Sequence, residues 1–95
     1  MAAYLFAEVN VHNAQGYEEY RKLVGPSLDK YKGKFLVRGG KVDVVEGTWS
    51  PKRVVVCEFA DMAAAHAWYD SPEYARAKEI ALKNATRNVI FIEGI

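Results

Sequence analysis

The chain has 95 residues, which is enough for one compact domain and no more. Hydrophobic residues make up 51% of it, which argues against disorder, and the net charge of +1 forms no basic stripe for nucleic acid. A single cysteine, Cys57, cannot form an internal disulfide, and no apolar run approaches the ~20 residues of a membrane-spanning helix. We therefore expect one cytoplasmic domain, residues 1–95, with no nucleic-acid or membrane partner.

The first third of the chain predicts a strand followed by a helix. Residues 3–11 alternate as a strand does, with apolar side chains on both faces. Asn13 is placed to cap a helix. Apolar residues then recur at helical spacing and predict a buried stripe formed by Tyr17, Tyr20, Val24, Leu28 and Tyr31. Pro26, following a glycine, is expected to kink or break this helix.

The middle of the chain predicts two further strands. Residues 34–38 form the first, which Gly39 and Gly40 interrupt and residues 42–46 continue. A turn over residues 47–52 leads to a strand at 53–59, whose valine-rich composition is typical of a central strand.

The last third predicts a broken helix and a final strand. Asp61 is expected to cap a helix that starts at Met62. Ser71 before Pro72 is a restart signal, because the hydroxyl caps and proline suits the first helical position. The restarted helix is predicted to reach residue 85, and residues 89–93 to form the last strand.

This order of elements predicts an α+β, ferredoxin-like βαββαβ fold. Its four-stranded antiparallel sheet carries the helices on one face. The other face holds Tyr4, Phe6, Val54 and Val56, and a chain of this length has no third layer to cover them. We therefore expect a second copy of the chain to cover this face in a two-fold homodimer, a dimeric α/β barrel.

Several motifs in this order resemble the family called domain of unknown function 1330. They are the Gly39-Gly40 pair, EGTWSPKR at 46–53, EF at 58–59, AHAWYDSPEY at 65–74 and EG at 93–94. The resemblance implies the dimeric α/β-barrel superfamily, which includes small monooxygenases, isomerases and haem enzymes. It also implies an arginine in the last helix, before the final strand; Lys83 lies near that position here, and Arg87 follows further along.

Glu58 is the first candidate catalytic residue. It and Glu8 lie on strands that we expect to be parallel neighbours, so their carboxylates could meet and split their pKa values, as an acid and a base do. The alternative is a structural ion pair of Glu58 with Arg53 or Arg38, or a solvated strand end.

His66 is the second candidate catalytic residue, since a histidine near a carboxylate can act as a general base. His12 lies at a strand-to-helix junction. A surface position is the alternative for each. Neither histidine has a partner at ligand spacing, so we expect no metal site and no cofactor.

The helix break supplies the candidate ligand-binding residues. Free amides after Ser71 suit an anion, and the hydroxyls of Tyr69 and Tyr74 could bind the same ligand beside Trp68. Alternatively, these aromatic residues only pack in the core.

Two more residues complete the candidates. Arg53 could hold a carboxylate with two hydrogen bonds, or it could pair with Glu46 across the hairpin. Cys57 lies in a valine run without a nearby base and is expected to be buried and inert.

We expect a small homodimer that binds a small organic molecule in a pocket beside the sheet, with metal-independent catalysis as an open question. One alternative is a non-catalytic structural or assembly protein whose barrel is filled by side chains. Another, by analogy of fold, is a cofactor-free monooxygenase-like enzyme. The sequence specifies neither substrate nor reaction.

Overall fold

A computed structural model describes all residues, 1–95, as four strands and three helices. In chain order they are β1 (Ala3–Val11), α1 (Ala14–Lys30), β2 (Lys34–Arg38), β3 (Val54–Phe59), α2 (Met62–Tyr69), α3 (Pro72–Asn84) and β4 (Ala85–Glu93). The sheet has the strand order β2-β3-β1-β4, and every neighbouring pair is antiparallel. The predicted α+β, ferredoxin-like fold is confirmed. None of the three helices combines the length and the apolar character needed to cross a bilayer.

The core lies between one face of the sheet and the helices. Alternate side chains of β1, including Leu5, Ala7 and Val9, join the buried stripe of α1 in one apolar cluster. Cys57 and Phe59 extend the same face on β3. The predicted stripe on α1 is confirmed, except that Tyr31 is only partly buried.

The opposite face of the sheet carries no helix. Across it runs an apolar row with one residue from each strand, joined by the strand register: Val37, Val56, Phe6 and Ile90. Ile90 is 55% exposed, and Ile92 on the same strand is 54% exposed. The sequence thus correctly assigned apolar side chains to both faces of the sheet.

Local capping follows the sequence closely. The Asn13 side chain accepts a hydrogen bond from the Gly16 amide at 3.1 Å, and that of Asp61 accepts one from Ala64 at 2.8 Å. Each satisfies an amide that the first turn of a helix would otherwise leave free. Both predicted caps are confirmed.

Of the kink or break predicted at Pro26, the break does not occur, because α1 runs continuously from Ala14 to Lys30. Proline removes one helical hydrogen bond and disfavours the interior of a helix. Here Val24 and Leu28, on either side of it, are both buried against the sheet. Packing on the two sides of the proline thus holds the helix together across the missing bond.

The predicted strand at 42–46 is also wrong, because residues 39–53 form neither helix nor strand. β2 is an edge strand whose only partner is β3, and the pairing ends where the Gly39 amide donates to the Val54 carbonyl at 3.0 Å. Beyond that point the chain has no strand to pair with, and Val45 is 90% exposed. Gly39 leaves the sheet with a φ of 73°, which a residue with a side chain rarely adopts.

The last helix and strand meet earlier than predicted. α3 ends at Asn84 and β4 starts at Ala85, four residues before the predicted start at 89. The reason is pairing with β1, which continues to the partners Val11 and Ala85.

The predicted helix break at Ser71 is confirmed. The Ser71 hydroxyl accepts from the Tyr74 amide at 3.1 Å and donates to the Trp68 carbonyl at 2.7 Å, so it links the end of α2 to the start of α3. Pro72 occupies the first turn of α3, where its missing N–H costs nothing.

Ser71→Ala is expected to destabilise the fold by about 1–2 kcal/mol, since it removes a helix cap and leaves the buried Trp68 carbonyl without that donor. Urea unfolding followed by circular dichroism measures this change. Ser50→Ala, at an exposed loop position, is the control and should shift the midpoint little. An unchanged midpoint for Ser71→Ala would contradict a stabilising role of the cap.

Candidate functional site

A cavity of about 40 Å³ lies between the helices and the sheet. It is lined by 18 residues, of which 14 are hydrophobic, so its walls are continuous with the core. The polar atoms that reach it belong to tyrosines and arginines; no aspartate, glutamate or histidine lines it. A space of this size holds a few water molecules or one small polar group.

Two tyrosines and one arginine form a hydrogen-bonded cluster in this cavity. The hydroxyls of Tyr20 and Tyr74 lie 3.1 Å apart. The Arg87 guanidinium donates to the Tyr20 hydroxyl at 3.2 Å and to the Tyr74 hydroxyl at 3.3 Å. Its carbon atom Cζ also lies 5.4 Å from the centre of the Tyr20 ring, at the outer range of a cation–π contact. We call these three residues the Arg87 cluster.

Each member of the Arg87 cluster is placed by a different element. Tyr20 belongs to the buried stripe of α1, and Tyr74 lies in the first turn of α3, whose start is fixed by the Ser71 cap. Arg87 lies on β4 opposite Val9, so its side chain points to the helix-covered face. The convergence therefore depends on the tertiary fold.

Arg87 is a cation without an anionic partner. Its Nε atom is fully buried and has no hydrogen-bond partner, and its other two nitrogens contact only neutral hydroxyls. Burial by itself lowers the pKa of Arg87, but the Tyr74 and Tyr20 hydroxyls outweigh this effect and raise it. Arg87 is therefore charged at neutral pH in a mostly apolar cavity.

Two more arginines without ion pairs line the cavity. Arg53 and Arg38 form none of the chain's salt bridges, whereas the exposed Arg21 pairs with Glu18 at 3.0 Å. Arg38 lies over the Phe35 ring at 4.4 Å and is exposed. The field in the cavity is therefore positive.

Two tyrosines of the cavity, Tyr17 and Tyr20, stay neutral near pH 7. Burial raises the pKa of Tyr17, with partial relief from the Arg87 guanidinium. Burial also raises the pKa of Tyr20, and the Tyr74 hydroxyl adds to that effect. These hydroxyls can therefore donate and accept hydrogen bonds, but they are poor bases.

Cys57 lines the same cavity and is 2% exposed. Burial raises the pKa of its thiol to about 12, so the thiolate that reacts with electrophiles is scarce at neutral pH. The prediction of a buried cysteine is confirmed.

Four of the predicted ligand-binding residues line the cavity: Arg53, Trp68, Tyr69 and Tyr74. Ser71 does not, and its buried hydroxyl is already committed to the Trp68 carbonyl and the Tyr74 amide. The ion pair of Arg53 with Glu46 does not form. The Arg53 guanidinium packs instead against the backbone of Gly39, where a side chain would collide with it.

The predicted meeting of Glu58 and Glu8 is wrong. β1 and β3 are antiparallel, so Glu58 faces Tyr4 while Glu8 faces Val54. Both carboxylates lie on the helix-free face of the sheet, away from the cavity. Glu58 pairs with Lys34 at 3.2 Å rather than with Arg53 or Arg38.

His66 also lies outside the cavity. It is exposed on α2, with its ring edge against Phe91 at 4.9 Å, in a separate open groove with Met62 and Asp70. His12, at the end of β1, hydrogen-bonds the Thr86 hydroxyl. The structure brings together no three histidine, cysteine, aspartate or glutamate side chains that could hold a metal ion.

Sequence reasoning missed Arg87, Tyr17 and Tyr20 as site residues. The helical spacing predicts the two tyrosines only as members of the buried stripe of α1. The last strand predicted from sequence starts at residue 89, after Arg87, and therefore does not include the alternation of Arg87 with Val89 and Phe91 on the core-facing side. Lys83, the alternative cation, is exposed on α3.

The four-stranded antiparallel sheet, its helical layer and the cavity between them define a ferredoxin-like α+β protein. The chain matches the family described as Domain of unknown function (DUF1330) over residues 2–95, and it belongs to that family. The resemblance seen in the sequence motifs is thus confirmed.

Solved structures show the same fold at low sequence identity. A protein of unknown function from Rhodopseudomonas palustris is 18% identical with a TM-score of 0.79, the match covering 99% of this chain and 82% of that one. A dimeric ferredoxin-like protein of unknown function from Jannaschia sp. is 16% identical with a TM-score of 0.78, covering 99% of this chain and 100% of that one. SnoaB, a cofactor-independent oxygenase from Streptomyces nogalater, is 11% identical with a TM-score of 0.60, covering 99% and 93%. No curated protein matches the chain.

Proposed function

We propose that this protein is a homodimer that binds a small organic molecule in the cavity between its helices and its sheet. The observation that carries the proposal is the convergence of polar groups, those of the Arg87 cluster, in an enclosed and mainly apolar cavity. Few, well-placed polar groups among apolar walls are the usual composition of a small-molecule site.

The cavity at 40 Å³ is smaller than a whole organic ligand, so binding requires the site to open. Arg38 and Arg53, at the two ends of the irregular segment 39–53, both line it. That segment is held to the sheet at its two ends, where the Gly39 amide donates to the Val54 carbonyl and the Arg53 carbonyl accepts from the Val9 amide. Between them the Trp49 indole donates to the Glu8 carboxylate at 3.1 Å. Displacement of the segment would break this Trp49 contact but would leave the helices and the strand ladders in place.

Dimerisation is supported by the apolar row on the helix-free face. Within the row, Phe6 packs against Trp49 of the segment 39–53, whereas Val37 and Ile90 are exposed and would otherwise face water. A two-fold partner that stacks its own row on this one buries both. The dimeric ferredoxin-like protein from Jannaschia sp. shares the fold that presents this face.

Binding is favoured over catalysis by the chemistry of the lining. Activation of a substrate by proton removal needs a base, and no carboxylate or imidazole lines the cavity. The similarity to a cofactor-independent oxygenase from Streptomyces nogalater therefore carries over as fold and not as reaction.

Cys57 provides the test, because it is the chain's single cysteine and it lines the cavity. Small organic molecules are screened by thermal shift, and each hit is tested for slower modification of Cys57 by a small methanethiosulfonate at pH 8. We expect hits that protect Cys57 in the native chain. The monooxygenase-like alternative predicts oxygen consumption with such a hit.

Val55→Phe places a larger side chain at the cavity wall. We expect it to abolish both the thermal shift caused by a hit and the protection of Cys57. Val45→Phe, the same change at an exposed loop position, is the matched control and should bind as the native chain does. A screen without hits, or hits that bind Val55→Phe equally well, would favour the non-catalytic structural alternative.

A further inference from the structure

The Arg87 cluster contains an unsatisfied requirement for negative charge. Arg87 is partly buried, and a guanidinium inside an apolar environment usually has a carboxylate beside it, because an unpaired charge there is costly. Arg87 has only tyrosine hydroxyls, and its Nε is buried without a partner. No acidic side chain lines the cavity that could supply the missing charge.

We propose that the ligand of this cavity is a small monocarboxylate whose carboxylate group is held by Arg87, with the hydroxyls of Tyr20 and Tyr74 as further hydrogen-bonding partners. This inference rests on the proposed function and specifies its ligand class. The fork of an arginine matches the two oxygens of a carboxylate, and the tyrosine hydroxyls can turn to donate to them.

The size and composition of the cavity favour a carboxylate over a phosphate. A space of about 40 Å³ accepts one small polar group, and the rest of the ligand would extend towards the apolar walls and the mouth. Among the arginines at the cavity, Arg38 and Arg21 are exposed to solvent, so their charges are screened. Arg53 is a second partly buried arginine without an ion pair at the cavity, so the preference for a monoanion rests on the small volume and the mainly apolar walls.

Three matched pairs of probes test the proposal: benzoate, phenylacetate and hexanoate, each with its primary amide. The amide keeps the shape and removes the charge. We expect at least one carboxylate to bind by calorimetry and to protect Cys57, with its amide at least tenfold weaker. Inorganic phosphate is tested in parallel and is expected to bind weakly or not at all.

Arg87→Met removes the charge and keeps an apolar side chain, and it is expected to weaken carboxylate binding at least tenfold. Because it also removes a partly buried cation that has no anionic partner, the unliganded variant should melt at the native temperature or above it. Arg87→Lys should bind carboxylates more weakly than the native chain and more tightly than Arg87→Met. Arg76→Gln, on the exposed side of α3, is the control and should bind carboxylates normally.

The outcomes separate this inference from the proposed function. If amides bind and protect Cys57 as well as carboxylates do, or if phosphate is the tighter anion, the carboxylate inference fails while the cavity remains a binding site. If Arg87→Met melts lower and binds carboxylates unchanged, Arg87 is structural and the inference also fails. If no probe binds and the wider thermal-shift screen also finds no molecule that protects Cys57, both the carboxylate inference and the proposed binding function are overturned.

Discussion

Trp68→Ala is expected to lower the free energy of unfolding by about 3–5 kcal/mol, the usual cost of removing a large aromatic side chain from a core. Trp68 is 2% exposed, and its ring lies 4.1 Å from that of Tyr74 and 5.5 Å from that of Phe59. A domain of this size has a total stability of roughly 5–15 kcal/mol, so the variant should be close to unfolding. Urea unfolding followed by circular dichroism measures the loss, because the substitution changes tryptophan fluorescence itself.

A hydrogen bond accounts for a separable part of this effect. The Trp68 indole N–H donates to the Ser27 hydroxyl at 3.0 Å, and that hydroxyl donates to the Val24 carbonyl at 2.7 Å. Trp68→Phe keeps most of the apolar volume and loses the indole N–H, so it should cost clearly less than Trp68→Ala. Ser27→Ala leaves the buried indole N–H unpaired and should cost about 1–3 kcal/mol. If Trp68→Ala unfolds at the native urea midpoint, the residue is not part of the core.

The features that the sequence predicted well are those set by neighbouring residues. Asn13, Asp61 and Ser71 cap helices through amides three residues away, so their roles follow from local spacing. The alternation along β1 gave both faces of that strand correctly. The order of the predicted elements gave the ferredoxin-like fold, and the family motifs implied its superfamily.

The features that it missed depend on contacts between distant segments. Residues 42–46 have the composition of a strand, but a strand needs a neighbour to pair with. β3 starts only at Val54, and its residues already pair with β2, so no residues are left to pair with 42–46. Pro26 would end an isolated helix, yet Val24 and Leu28 hold it against the sheet. The local sequence pattern shows the helix propensity of a segment but not the tertiary packing that can override it.

The candidate site divides in the same way. Tyr74 and Trp68 were found because they flank the helix break in sequence. Glu8 and Glu58 were paired in error because the direction of two neighbouring strands decides which of their residues meet. Arg87 belongs to β4 because that strand starts at Ala85. Only with this start does the alternation along the strand place the Arg87 side chain on the core-facing side.

Ile90→Glu is expected to convert the proposed dimer to a monomer. Ile90 lies in the apolar row and is 55% exposed in the single chain, so a glutamate there should leave the fold of each protomer intact. In a two-fold interface the substitution appears twice, and each carboxylate would lose its water to an apolar partner surface. We expect the dimer dissociation constant to rise by roughly a hundredfold or more, about 2.7 kcal/mol.

Light scattering at micromolar concentration measures the outcome. The native chain should give about twice its mass of 10.7 kDa, and Ile90→Glu should give the mass of a single chain with unchanged circular dichroism. Leu82→Glu is the matched control, because Leu82 is 65% exposed on α3, in the helical layer and away from the apolar row. It should remain dimeric. A native chain that is already a monomer, or a variant that stays dimeric, would mean that the helix-free face of the sheet is not where two copies meet, and the apolar row would then need another occupant.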